Sequence, residues 1–173
     1  MTQNWIRPQE GDYLPYQKNY IDLVQDGNLV RQMEENSKAF AALLVGLTEQ
    51  QSNHAYAPGK WTIKQVVNHI NDCERIMGYR ALCIARGEQQ SLPGFEQDDY
   101  VANADVERRL LRSMVDEYLS IRQATLTLME SFSQTDLAKR GMANNAPVTV
   151  NALCWVIAGH ELYHLQILKE RYL

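Results

Sequence analysis

Four segments of the chain place their apolar residues at alternating spacings of three and four, and this pattern restricts the fold most. Such spacing puts one face of a helix against a core. Four helices of this kind, joined by longer loops, predict an all-α four-helix bundle with long crossover loops. The four inward-facing series are Leu29, Met33, Asn36, Phe40, Leu43 and Leu47; Val66, His69, Cys73, Ile76, Arg80 and Cys83; Leu111, Met114, Tyr118, Ile121, Thr125, Leu128 and Phe132; and Leu153, Ile157, His160, His164, Ile167 and Arg171.

Polar residues at the expected helix starts help to place two of these helices. Thr62 is followed three residues later by Gln65, the spacing of a capping box. This pair predicts that the second helix begins at position 62 or 63, and its apolar pattern extends to about Gly87. The third helix is expected to begin near Asn103 or Asp105, since both residue types are good N-caps.

The remaining segments lack a helical period. Residues 1–20 are rich in Pro, Gly and Tyr and predict an irregular N-terminal arm. Residues 91–103, SLPGFEQDDYVAN, predict an irregular loop. Thr149 is expected to cap the fourth helix. The 173 residues suit a single domain over 1–173.

Composition narrows the possible partners and location. The net charge is -4 and no basic run occurs, which disfavours nucleic acid as a partner. No apolar stretch approaches the roughly 20 residues of a membrane span, and no apolar leader is visible. The cysteines, Cys73, Cys83 and Cys154, are odd in number and form no CxxC. A cytoplasmic protein without disulfides is therefore expected.

Three histidines occupy inward-facing positions, where an unpartnered polar ring is costly. His160 and His164 lie one turn apart on one face of the fourth helix, and His69 holds a comparable position on the second. One divalent metal ion would satisfy all three rings and keep an open coordination position, as in catalytic zinc sites. Zn²⁺, Ni²⁺ and Cu²⁺ all accept imidazole, so the ligand set leaves the metal open.

Other polar residues have different expected roles. His54 lies in a polar loop and is expected on the surface, whereas Cys73 is expected to pack as a small apolar residue. Asp72 and Glu161 either orient the histidine rings as hydrogen-bond acceptors or serve as ordinary solvated or interhelical charges. Arg80 either receives an anionic group of a substrate or is ion-paired or directed to solvent. The long loop of residues 91–103 is a candidate border of the site, but its Asp98, Asp99 and Tyr100 are not expected to be catalytic.

Residues 159–164, GHELYH, also match the H-E-x-x-H pattern of zinc proteases. That chemistry needs Glu161 as the general base and a third ligand from downstream. Only nine residues follow His164; none is histidine, and Glu170 is the one carboxylate among them. The missing ligand is better supplied from upstream, by His69, so the protease interpretation is disfavoured.

Four longer stretches together cover most of the chain: RPQEGDYLPYQKNYIDLV, YAPGKWTIKQVVNHINDCERIMGYRALCIARGE, SLPGFEQDDYV and VNALCWVIAGHELYHLQILKERYL. They resemble the DinB-like (damage-inducible) superfamily of metal-binding four-helix bundles. The resemblance implies a bundle whose three metal ligands, by position, are His69, His160 and His164, with zinc or nickel as the metal. It also implies thiol chemistry, because the superfamily includes bacillithiol S-transferases and mycothiol-dependent isomerases. Other members have been labelled metal-dependent hydrolases, and relatives are often homodimers.

Three functional hypotheses follow from the ligand set and the resemblance. The first is a metal-dependent thiol S-transferase, in which the metal holds a low-molecular-weight thiol as its thiolate for attack on a small electrophile. The second is a metal-dependent hydrolase of a small molecule, in which the metal activates water. The third is a non-catalytic metal-binding bundle of a stress response.

Overall fold

The computed structural model describes residues 3–173 and consists mainly of helices. Four of the helices are long, and the others are single turns or short segments. In chain order the elements are a 3₁₀ turn Pro15–Gln17, α1 Lys18–Ile21, α2 Leu29–Val45, α3 Glu49–Ser52, α4 Ile63–Ala85, α5 Gln97–Asn103, a 3₁₀ turn Val106–Arg108, α6 Leu111–Glu130, α7 Gln134–Leu137, β1 Arg140–Ala143, β2 Ala146–Thr149 and α8 Val150–Arg171.

The long helices α2, α4, α6 and α8 form a four-helix bundle, which confirms the predicted fold class. Helix α4 packs mainly on α8 and α6, and α2 packs on α6 and, less extensively, on α8. Helices that follow one another, α2 then α4 and α6 then α8, therefore lie on opposite sides of the bundle. The segment that joins each of these pairs must therefore cross one end of the bundle, in agreement with the long crossover loops predicted from the sequence.

The caps of two bundle helices are those expected from the sequence. The Thr62 hydroxyl accepts from the Gln65 amide at 3.2 Å, and the Gln65 side chain accepts from the Thr62 amide at 2.8 Å. The Thr149 hydroxyl accepts from the Ala152 amide at 3.1 Å. These bonds satisfy amides that have no partner within the helix.

The predicted start of the third helix was wrong. Asn103 ends the short helix α5, Asp105 precedes a 3₁₀ turn, and α6 begins only at Leu111. The Leu111 amide donates to the carboxylate of Glu49 at 2.7 Å. Because this cap comes from a residue distant in sequence, no local sequence pattern predicts it. Helix α5 was also missed, within a segment expected to be irregular.

A short β-hairpin, β1–β2, lies before α8 and was not predicted. Its turn residues Asn144 and Asn145 both have positive φ, the conformation that two-residue hairpin turns require. The hairpin holds the loop before α5, since the Leu92 amide donates to Met142 O and its carbonyl accepts from the Asn144 amide, both at 2.9 Å. A Cβ at Gly94 would lie 2.2 Å from the Asn144 side chain, so this close approach requires glycine.

Helix α8 is the central element of the bundle. Residues 152–161 are buried on every side of the helix, because α1 and the hairpin cover the faces of α8 that α2 and α4 do not contact. Within residues 3–173, neither α8 nor any other helix is both long enough and apolar enough to cross a membrane.

The apolar core is divided into two clusters by a layer of polar side chains. One cluster contains the first half of α8 and the start of α2, and the other contains the second half of α2 and the start of α6. Helices α4, α6 and α8 contribute side chains to the layer between them. Its buried members are His69, Glu74, Arg122, His160, Glu161 and His164.

Candidate metal centre

Three histidine rings converge in one part of the polar layer. His69 comes from α4, and His160 and His164 come from successive turns of α8. The Nε2 atom of His160 lies 3.1 Å from Nε2 of His69 and 3.1 Å from Nε2 of His164. All three rings are buried, and one nitrogen of each lies within 4.8 Å of the others.

Hydrogen bonding among the rings does not account for this convergence. A neutral imidazole has one N–H, and each ring nitrogen has either a proton or a lone pair. The Nε2 atom of His160 therefore cannot form a strong, linear bond to both neighbouring nitrogens. Tetrahedral zinc with imidazole ligands at about 2.0–2.1 Å requires nitrogens roughly 3.3 Å apart. The observed spacing therefore fits three ligands of one cation.

Burial keeps the three imidazoles in the neutral form that binds metal. It lowers the pKa of His69 to about 4, against a smaller opposing effect of the Asp98 carboxylate. Burial also lowers the pKa of His164 to about 3 and that of His160 well below its usual value. A metal ion would therefore not compete with protons at neutral pH.

Aromatic and sulfur contacts fix the orientation of the rings. The Trp61 ring lies 4.8 Å from that of His69, between centroids, and the Tyr20 ring meets His160 edge-on at 5.3 Å. The Cys73 sulfur lies 3.6 Å from the ring nitrogens of His69. Burial raises the pKa of this thiol to about 12, so it stays protonated and packs as expected.

Gly159 allows the N-terminal segment to reach the site. A Cβ at this position would lie 2.0 Å from the carbonyl oxygen of Tyr20. Only glycine therefore lets α1 pack directly on α8, and this contact places the Tyr20 ring against His160.

A cavity of about 400 Å³ opens beside His164. Trp61 and Tyr163 form part of its wall, and the side chains of Lys60 and Asp98 bring one positive and one negative charge to it. Asp98 comes from α5, so the unexpected helix supplies a wall of this cavity. A small molecule could thus approach the histidines next to both a carboxylate and an ammonium group.

Glu161 does not contact the histidine rings and belongs to a second buried cluster. Its carboxylate forms an ion pair with Arg122 and accepts from the Tyr118 hydroxyl at 2.7 Å. Arg122 also donates two bonds to Glu74, at 2.9 and 2.7 Å. Of the two roles considered for Glu161, the structure shows the interhelical ion pair. A carboxylate held in this way does not face the open cavity as a protease base would.

Three other residues singled out in the sequence lie apart from the rings. Asp72 accepts from the Asn68 amide at 2.7 Å and approaches Arg75 at 4.0 Å, and it forms no described bond to a histidine. His54 is exposed, as expected. Arg80 is buried and lines a different cavity from the one beside His164.

The sequence profile of the DinB superfamily matches residues 32–168, which is most of the chain. The chain therefore belongs to the DinB superfamily, as the resemblance implied. This family defines a class of helical bundles, and the match includes all three histidines of the site.

Individual relatives agree with this assignment. A protein of Geobacillus thermodenitrificans named "Putative metal-dependent hydrolase" is 28% identical over 109 residues, 62% of this chain and 60% of its own length. A protein of Oceanobacillus iheyensis with the same description is 22% identical over 141 residues, 81% of each chain. The chain thus spans less than two thirds of the first of these relatives.

A solved structure supports the fold. YfiT from Bacillus subtilis, described as a probable metal-dependent hydrolase with an unusual four-helix bundle topology, superposes with a TM-score of 0.71. The superposition covers 95% of this chain and 90% of YfiT, at 14% sequence identity. At this identity the likeness establishes the bundle and its topology.

Some residues of the site were not predicted from the sequence. Lys60 lies in a loop and Asp98 lies in the short helix α5, and tertiary contacts set the position of both segments. Their approach to the histidines therefore leaves no local signal in the sequence. Arg122 did leave a signal, because it falls four residues after Tyr118 and three before Thr125, on the apolar face of α6. The predicted inward-facing series contained Ile121 at this turn instead, whereas the structure buries Arg122 and leaves Ile121 only partly buried.

Proposed function

We propose that the protein is a metal-dependent hydrolase of a small molecule, with one divalent ion held by His69, His160 and His164. The observation that carries the proposal is the convergence of three neutral, buried histidine rings, one of which, His164, lines a cavity. The names of the two relatives and of YfiT support it. Zn²⁺ and Ni²⁺ are the ions that we expect.

The ligand set suits catalysis better than storage. Three neutral ligands leave the ion its full positive charge and an open coordination position, so the ion supplies Lewis acidity to a bound substrate. The cavity beside His164 gives a small molecule access to that position. Its volume of about 400 Å³ is in the range of small-molecule sites.

Asp98 favours hydrolysis over thiol transfer. Hydrolysis requires a group that accepts a proton from the attacking water. Asp98 is a carboxylate of the cavity wall, close enough to His69 to influence the pKa of that ring. Glu161 is not placed for this part, because it is 1% exposed and does not line the cavity, and because Arg122 and Tyr118 bind its Oε2 atom. We therefore assign Asp98 as the proton acceptor.

Thiol transfer is the competing proposal, and Lys60 is the feature that favours it. Many small thiols carry carboxylates, and the Lys60 ammonium group at the cavity wall could bind one. A thiolate held by the metal would need no separate base, so Asp98 would be dispensable. A non-catalytic metal-binding bundle is the third proposal, in which neither residue affects any turnover.

Metal content tests the ligand assignment. We expect about one Zn²⁺ or Ni²⁺ per chain after loading and dialysis, measured by elemental analysis, and at least a tenfold lower content in His160→Ala. His54→Ala is the matched control, since His54 is exposed and should leave the content unchanged. Metal-free native protein after both loadings would refute the site.

Activity assays separate the three proposals. The metal-loaded protein would be tested on a panel of small esters, amides and lactones, and on reactive halides with a small thiol. Hydrolysis that falls about 100-fold or more in Asp98→Asn, with Asp99→Asn unaffected, is expected for a general base. Turnover that depends on thiol and tolerates Asp98→Asn would support the transferase instead. Full metal loading without turnover on either panel would favour the non-catalytic bundle.

A further inference from the structure

A second cavity, of about 250 Å³, lies between α4 and the loop that precedes α5. Its walls are mostly apolar or aromatic, and they include Ile76, Leu92, Phe95 and Tyr100. The charged side chains at this cavity are Arg75 and Arg80, both from α4. The cavity thus combines an apolar interior with positive charge.

Of the two arginines, only Arg75 is neutralised by the protein. Its guanidinium lies 2.6 Å from the Glu117 carboxylate, which also contacts Arg109, and 4.0 Å from the Asp72 carboxylate. Arg80 is only 7% exposed, and no carboxylate in residues 3–173 lies within 4.0 Å of its guanidinium. Arg80 donates one described hydrogen bond, to the Pro93 carbonyl at 2.5 Å, and lies 5.8 Å from the Phe95 ring centroid.

A buried arginine without a counter-ion is unusual, because a guanidinium stays charged in proteins and has five N–H donors. Burial lowers the pKa of Arg80, the direction expected for a charge without a carboxylate partner. The carbonyl of Pro93 and the face of Phe95 compensate part of this cost. One hydrogen bond is described for the five donors of Arg80, and this residue lines the cavity, so a ligand there can accept from the guanidinium.

We propose that this cavity binds a small carboxylic acid with an apolar or aromatic body, whose carboxylate pairs with Arg80. The planar guanidinium matches a carboxylate with two parallel hydrogen bonds. One unpaired positive charge suits a monoanion better than a phosphate dianion, since Arg75 is already paired with Glu117. The body of the acid would lie among Ile76, Leu92 and Phe95.

The proposed site is separate from the histidine cavity. The two cavities share no lining residue. His69 and Arg80 are eleven residues apart on α4, a rise of about 16 Å at 1.5 Å per residue. The short helix α5 stands between the cavities, with Asp98 at one and Tyr100 at the other. Ligand binding at Arg80 therefore does not require a metal.

Binding of benzoate to the full chain in the presence of a chelator tests the proposal. Calorimetry would compare benzoate with benzyl alcohol, a neutral compound of similar shape, and NMR would locate the affected amides. We expect benzoate to bind at least tenfold more tightly, with shifts centred on residues 92–95 and 100. This comparison uses the native protein and needs no variant.

Substitutions identify the arginine. Arg80→Gln should weaken benzoate binding at least tenfold, while Arg86→Gln, at the exposed residue that follows α4, should not change it. Equal binding of benzoate and benzyl alcohol, equal binding by Arg80→Gln, or shifts centred on His164 would each overturn the proposal. Tighter binding of phenyl phosphate than of benzoate would overturn the assignment to carboxylates. His160→Ala should bind benzoate normally, so failure of the metal site would leave this result intact.

Discussion

Adjacent residues of α8 enter two buried polar clusters with opposite character. Glu161 joins Arg122, Glu74 and Tyr118, where donors and acceptors from three helices bind one another. His160 joins two other neutral rings whose nitrogens converge without a suitable partner among themselves. In the first cluster, side chains of the protein supply most of the hydrogen-bonding and charge partners. In the second cluster, the ring nitrogens require a ligand that the protein itself does not supply. This difference distinguishes a structural polar group from a binding site better than burial does.

The largest effect is expected where the completed cluster is broken. Arg122→Met would leave the carboxylates of Glu74 and Glu161 buried without their cation. Removal of one partner of a buried ion pair costs about 3–5 kcal/mol, so we expect a loss of that size in the free energy of unfolding. Urea denaturation of the metal-free protein would measure it.

Arg112→Met is the control for this experiment. Arg112 lies on the same helix, and its ion pair with Asp116 is exposed to solvent. Exposed pairs contribute about 0–1 kcal/mol, so this variant should lose little stability. Similar losses in the two variants would mean that the buried cluster contributes no more to the free energy of unfolding than the exposed ion pair does.

An intermediate effect is expected where the incomplete cluster receives its partner. A ligand at 100 times its dissociation constant stabilises the folded state by about 2.7 kcal/mol. We expect Zn²⁺ or Ni²⁺ to stabilise the native protein by this amount and to leave His164→Leu unchanged. In the metal-free state His164→Leu should be no less stable than the native chain, because it removes a buried polar ring without creating a large cavity.

Thermal unfolding with and without metal measures the stabilisation by the ion and the metal-free stability of His164→Leu relative to the native chain. If metal stabilises His164→Leu as much as the native chain, the ion binds elsewhere. A large loss of metal-free stability in His164→Leu would show that the rings already satisfy one another.

The smallest effect is expected for Tyr118→Phe, which removes one donor from the completed cluster. The Glu161 carboxylate would lose the bond from the hydroxyl but keep Arg122. Loss of one hydrogen bond to a charged group costs about 1.5–3 kcal/mol, and we expect the lower end because the ion pair persists. Metal content should not change. A loss as large as that of Arg122→Met would show that Tyr118, rather than Arg122, holds the cluster together.

The sequence contained enough information for the bundle and the three histidines. Spacings of three and four are direct consequences of helix geometry, and a polar ring in such a series stands out by its residue type. The start of α6 could not be predicted, because the carboxylate of Glu49 caps it from another part of the chain. Asp98 was assigned to an irregular loop, and its place at the cavity depends on how α5 packs. Local patterns report helix faces, whereas the path of a connection depends on contacts that only the folded chain forms.

The hexapeptide GHELYH shows how a familiar motif can arise from unrelated requirements. Gly159 is required by the backbone of Tyr20, the two histidines face His69, and Glu161 is bound by Arg122. A substitution at any one of these letters would disturb a different part of the molecule. A search that scores H-E-x-x-H as one signature therefore treats as a unit residues that belong to two buried clusters. In this chain the histidines belong to the converging rings, and the glutamate belongs to the ion pair with Arg122.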